Sequence, residues 1–104
     1  GKRARDAVNK AIELDPKSGR AYLARGVGNY YLPAGLGGGL DKAVADFRKA
    51  LELHPANSDG WLWLGIALRK QGQNKAAREA FTKGLQISPT RTWIKQQLEK
   101  TPAQ

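Results

Sequence analysis

Between Ser58 and Pro89 the apolar residues fall into two helical phases separated by a short polar turn, Gln71 to Asn74. In the first phase Trp61, Leu64, Gly65 and Leu68 recur at steps of three, one and three, which places them on one face of a helix. In the second, Ala76, Ala77, Ala80, Phe81 and Gly84 share a face. The small residues on both faces let two antiparallel helices approach closely, with Phe81 filling the seam. Such a hairpin keeps an apolar face in reserve and needs a neighbour.

The same phases recur on either side. Residues 3–14 predict a helix with Ala4, Val8, Ala11 and Ile12 on one face, ended by Asp15-Pro16 because proline disfavours helix in the residue before it. Ser18 is placed to cap a helix over about 19–32. There Tyr22, Arg25 and Gly26 stand where Trp61, Leu64 and Gly65 stand later. Arg25 departs from the apolar pattern, although its stem can cover apolar surface while the charge reaches solvent. Residues 41–54 predict a third helix carrying Ala43, Phe47 and Ala50, with Asp41 as its cap. Pro16 to Pro55 is 39 residues and Pro55 to Pro89 is 34, so the earlier unit holds a five-residue insertion between Tyr31 and Gly38. Pro33 stops the preceding helix, and the glycines of residues 35–39 permit positive φ. Thr90 to Lys100 predicts a last helix with Trp93, Ile94 and Leu98 turned inward. Its outer face is polar, as suits a helix that closes a stack.

The residues Trp61, Leu64, Gly65, Ala77, Phe81 and Pro89 resemble, in type and spacing, the signature of the tetratricopeptide repeat, a 34-residue helical hairpin. Leu68 replaces the usual aromatic residue and Gly84 the usual alanine. The resemblance implies an all-α fold, a right-handed superhelical stack of antiparallel helix hairpins with a C-terminal capping helix. It predicts one domain over 1–104. Residues 1–17 form the second helix of a partial repeat, 18–55 a repeat with the insertion, 56–89 a full repeat, and 90–104 the cap and tail.

It also implies that the first helix of each repeat lines a concave groove. Carried across residue by residue, the groove positions are Arg20, Leu23, Ala24, Val27, Tyr30 and Tyr31, then Asp59, Leu62, Trp63, Ile66, Arg69 and Lys70. Trp63 lies two residues, about 200°, from Trp61, so the two indoles cannot share a seam. It faces the groove or packs on the preceding repeat. The clamp of Lys and Asn by which some members hold the C-terminal carboxylate of chaperones would fall on Leu23, Val27, Leu62, Ile66, Ala24 and Trp63. That clamp is absent.

Composition narrows the chemistry. Eighteen basic against nine acidic residues give a net charge of +9, which favours acidic partners. There is no cysteine and one histidine, His54, so neither a Cys–His pair nor a multi-histidine metal site can form. No enzyme activity and no cofactor are expected. The run Gly35 to Gly39 lacks the lysine and hydroxyl residue of a phosphate loop and follows no strand, so it reads as a turn with Leu36 at its tip. No apolar run is long enough for a membrane span. The opening GKRAR is followed by Asp6, Asn9 and Lys10 and is not a signal peptide, so a soluble chain is expected. The lack of methionine and the start within a repeat suggest a piece of a longer protein. Glycine-rich insertions of this kind resemble those of bacterial repeat proteins and lean the source that way.

The leading expectation is a non-catalytic module that binds a protein or peptide segment, acidic in character, over Leu23, Val27, Leu62, Trp63 and Ile66, with Arg20, Arg69 and Lys70 steering. The second is self-association as a homo-oligomer through Ala4, Val8, Ala11 and Ile12. Nonspecific nucleic-acid binding ranks third, because the charge permits it but no base-reading motif is present.

Overall fold

The computed structural model describes residues 2–104. Six α-helices follow one another: α1 (Lys2–Leu14), α2 (Gly19–Tyr31), α3 (Leu40–Leu53), α4 (Ser58–Lys70), α5 (Asn74–Ile87) and α6 (Thr92–Glu99). No strand occurs among the described residues. Each helix packs on the next, most extensively α2 on α3 and α4 on α5, and α2 also touches α4. The result is an elongated stack measuring 37 × 28 × 19 Å.

The close approach within each hairpin comes from one glycine facing one phenylalanine. A Cβ on Gly26 would lie 2.5 Å from the Phe47 ring, and one on Gly65 would lie 2.4 Å from the Phe81 ring. Only glycine lets these rings lie against the opposing helix. Both phenylalanines are fully buried, together with Leu62, Leu68 and Ile94. One continuous core results, running from Ala43 through Ile94.

Local signals set the helix starts. The Ser18 hydroxyl accepts from the Ala21 amide at 3.2 Å, and Asn57 Oδ1 accepts from the Asp59 amide at 3.0 Å. Asp41 does not cap α3. The chain enters that helix from Gly39, at φ 111°, and is already helical at Leu40, which moves Asp41 into the first turn. There its carboxylate accepts from Gln71 Nε2 at 2.8 Å. The insertion becomes a short 3₁₀ turn, Ala34–Leu36, closed by Gly37 at φ 94°. Leu36, at its tip, is 70% exposed.

Candidate functional site

The surface formed by α2, α4 and α6 carries the aromatic residues. In α4 the two tryptophans diverge, as their 200° separation requires. Trp61 lies against Gly84 of α5 and donates from Nε1 to the Pro55 carbonyl at 2.8 Å. Trp63 points the other way. It stacks on Phe47 at 6.3 Å between centroids and meets Tyr30, Tyr31 and Trp93 edge-on at 5.9, 6.2 and 6.0 Å. The half-buried Trp63 thus packs on the preceding repeat and joins the core to the surface aromatics.

Trp93 is not turned inward. The turn from Ser88 to Arg91 starts α6 at Thr92, and this phase points Ile94 into the core and leaves Trp93 40% exposed. Tyr31, which meets the same Trp63 ring from α2, is 69% exposed. The row Tyr31–Trp63–Trp93 thus crosses three helices and presents ring surface to solvent. Arg91 flanks it, with its guanidinium 6.0 Å from the Trp93 ring centroid, ion-paired with Asp59 and donating to the Ser58 hydroxyl at 3.2 Å.

The other groove residues divide. Leu62 is fully buried and Ile66 nearly so; both belong to the core and neither offers contact area to a ligand. Leu23, Val27 and Tyr30 are half-buried against that core. Arg69 is occupied in holding α6, since it donates to the Gln97 carbonyl at 3.1 Å, Gln97 Oε1 at 2.6 Å and the Thr101 hydroxyl at 3.2 Å. Arg20 and Ala24 on α2 and Lys70 at the end of α4 are exposed.

On α1, Val8 and Ile12 are half-buried, whereas Ala4 and Ala11 are exposed. An open cleft of about 530 Å³ runs between α1 and α2, lined by Ala4, Val8, Ala24, Gly28, Tyr31 and Leu36 among others. Ala11 and Ile12 lie outside it. Tyr31 lines this cleft and also ends the aromatic row.

Arg25 does not simply extend its charge to solvent. Its Nε and Nη2 donate to the two oxygens of Asp46 at 3.0 and 2.8 Å, and Nη1 donates to Asn9 at 3.2 Å. The hydrogen bonds from Asp46 hold the Arg25 guanidinium above its ordinary pKa range. Asp46 is 6% exposed and also accepts from Asn29 Nδ2 at 2.8 Å, while Asn29 Oδ1 accepts from Arg5 at 3.0 Å. The sequence alone assigns Asp46 and Arg5 no role in a site. The available signal was a carboxylate three residues after Ala43 and four before Ala50, on an otherwise apolar face. Among the described residues no group of three or more His, Cys, Asp or Glu could hold a metal ion, and no described helix is long and apolar enough to cross a membrane.

A family model described as "Tetratricopeptide repeat" matches residues 37–92. Human protein O-mannosyl-transferase TMTC1 is 31% identical over 100 residues, which cover 94% of this chain and 11% of that protein. The protein MJ0572 of Methanocaldococcus jannaschii is 37% identical over 71 residues, 68% of this chain and 77% of its own length. The STIP1 homolog of Dictyostelium discoideum is 34% identical over 91 residues, 88% of this chain and 15% of its own. The chain thus spans a small part of two of these relatives and most of the third. Among solved structures, the crystal structure of MamA is similar with a TM-score of 0.82 at 24% identity, over 93% of this chain and 50% of that one.

Proposed function

This chain belongs to the tetratricopeptide-repeat family, and from that premise we propose that it is a non-catalytic module docking an acidic protein segment across the aromatic row of α2, α4 and α6. Arrays of this family generally act as scaffolds for other proteins. The transferase activity in the name of the human relative belongs to a protein of which this chain matches 11%.

The observation that carries the proposal is the row Tyr31–Trp63–Trp93, with its two outer rings exposed. Large rings held edge-on lose little freedom on binding and offer much apolar area, which is why Trp and Tyr so often anchor interfaces. Leu62 and Ile66 belong to the core against which Trp63 packs. Arg20 and Lys70 steer from the ends of α2 and α4, and the net charge of +9 favours a ligand of opposite sign. The test is an array of acidic peptides, extended and helical, read by tryptophan fluorescence. The double variant Tyr31→Ala/Trp93→Ala should weaken binding of any hit by at least about tenfold while far-ultraviolet circular dichroism stays unchanged. Hits that bind the variant as tightly as the parent would exclude this face.

A second reading, self-association through α1, is favoured by the open cleft that Ala4 and Val8 line. It expects a mass that grows with concentration in light scattering and falls back with Val8→Asp. A monomer at every concentration removes it. Nonspecific nucleic-acid binding ranks behind both and expects affinity that falls steeply with salt.

A further inference from the structure

The chain contains the same three-helix junction twice, once between α1, α2 and α3 and once between α3, α4 and α5. Aligned on Phe47 and Phe81, five positions of the second junction are Val44, Leu64, Leu68, Ala76 and Ala80, all in or against the dry core. The corresponding residues of the first junction are Arg5, Arg25, Asn29, Lys42 and Asp46. Every one of the five has changed from apolar to polar or charged. The fold does not require this, since the second junction solves the same packing problem with hydrocarbon. Apolar residues in such a place commonly hold as well as ions or better.

The polar set surrounds a cleft of about 320 Å³, to which Asn9, Gly37 and Ala45 also contribute. Its charges are unbalanced. Asp46 is matched by Arg25 through two hydrogen bonds. Arg5 and Lys42 have no carboxylate partner among the described residues. Instead both donate to one neutral atom, the Gly37 carbonyl oxygen, at 3.0 and 3.1 Å. Two cations drawn to one carbonyl leave two positive charges uncompensated beside an open polar cleft. Arg5 uses two of its guanidinium N–H groups, on Asn29 and Gly37, and keeps others for a ligand.

We propose that this cleft between α1 and α3 binds a phosphate dianion, as inorganic phosphate or as a phosphate monoester. Two negative charges match the two that Arg5 and Lys42 leave open, and guanidinium forks suit tetrahedral oxyanions. A carboxylate would satisfy one charge only. The site is not a phosphate loop. The amides of Gly37, Gly38 and Gly39 already donate to Ala34, Pro33 and Asn29 carbonyls, so side chains would hold the anion.

The test is an amide-resolved NMR titration with inorganic phosphate at pH 7.5, against sodium chloride at matched ionic strength. Saturable shifts are expected at Gly37 and at the side-chain amides of Asn9 and Asn29. Lys42→Ala, at an exposed position with one hydrogen bond, should weaken binding about tenfold with an unchanged melting temperature, and Lys83→Ala on α5 should leave it unaltered. A phosphoserine peptide that binds more tightly than inorganic phosphate assigns a modified protein segment; equal affinity assigns free phosphate. Shifts that chloride reproduces, acetate binding as tightly as phosphate, or a Lys42→Ala variant with parental affinity would overturn the proposal.

Discussion

Replacing Asp46 by alanine isolates the energetics of the polar junction. The change removes two of the three acceptors of Arg25, leaving Asn9, and the acceptor of Asn29 Nδ2. Breaking a fully buried pair by deleting one partner costs about 3–5 kcal/mol, because the remaining charge is stranded. The Arg25 side chain is 32% exposed, so water rescues part of it, and the expected loss is nearer 2 kcal/mol. For a domain of this size that lowers the melting temperature by roughly 10 °C. The informative comparison is Asp46→Ala with Arg25→Leu, which installs the residues that Ala80 and Leu64 supply in the second junction. With no stranded charge, the double variant should recover at least half of the loss. Urea and thermal unfolding, followed by circular dichroism at 222 nm, give both numbers. If Asp46→Ala falls within about 0.5 kcal/mol of the parent, or if the double variant is as damaged as the single, the pair is not what holds this junction.

Three further outcomes follow from the packing. Gly65→Ala drives a methyl group into the Phe81 ring and should destabilise by about 2 kcal/mol in spite of alanine's better helix propensity. Gly28→Ala meets nothing within 4 Å and should stabilise by about 0.5–1 kcal/mol, so the two glycines separate a steric requirement from an incidental one in the same unfolding assay. Arg69→Ala removes three hydrogen bonds to Gln97 and Thr101 and should cost about 2 kcal/mol, with hydrogen exchange in α6 accelerating before that in α4 and α5.

What could be read from the chain was whatever depends on neighbours close in sequence. The two apolar phases, the proline spacings of 39 and 34 residues, and the facing of Phe47 and Phe81 by glycines all follow from helical periodicity. The misreadings share another origin. The inward placement of Trp93 failed because the turn at Ser88–Arg91 sets the phase of α6, and a single residue of phase exchanges Trp93 with Ile94. Asp41 does not take the capping role because the chain enters the helix two residues earlier, from Gly39 at positive φ. Leu62 and Ile66 occupy the family's groove positions, yet both are packed into the core. The network through Asp46 joins residues 17 to 24 positions apart, a separation at which periodicity is silent. Only a charge standing on an apolar stripe marked it.

The two junctions also differ in how they yield to force. Contacts between hydrocarbons weaken gradually as surfaces slide, so α4 and α5 can shear by a fraction of an ångström with little change in energy. Hydrogen bonds lose strength steeply with distance and angle. Guanidinium forks that span α1, α2 and α3 therefore hold like a latch, stiff at small displacement and released all at once beyond it. Pulled from its first helix, the stack should surrender α1 in one abrupt step and the remainder as a compliant body.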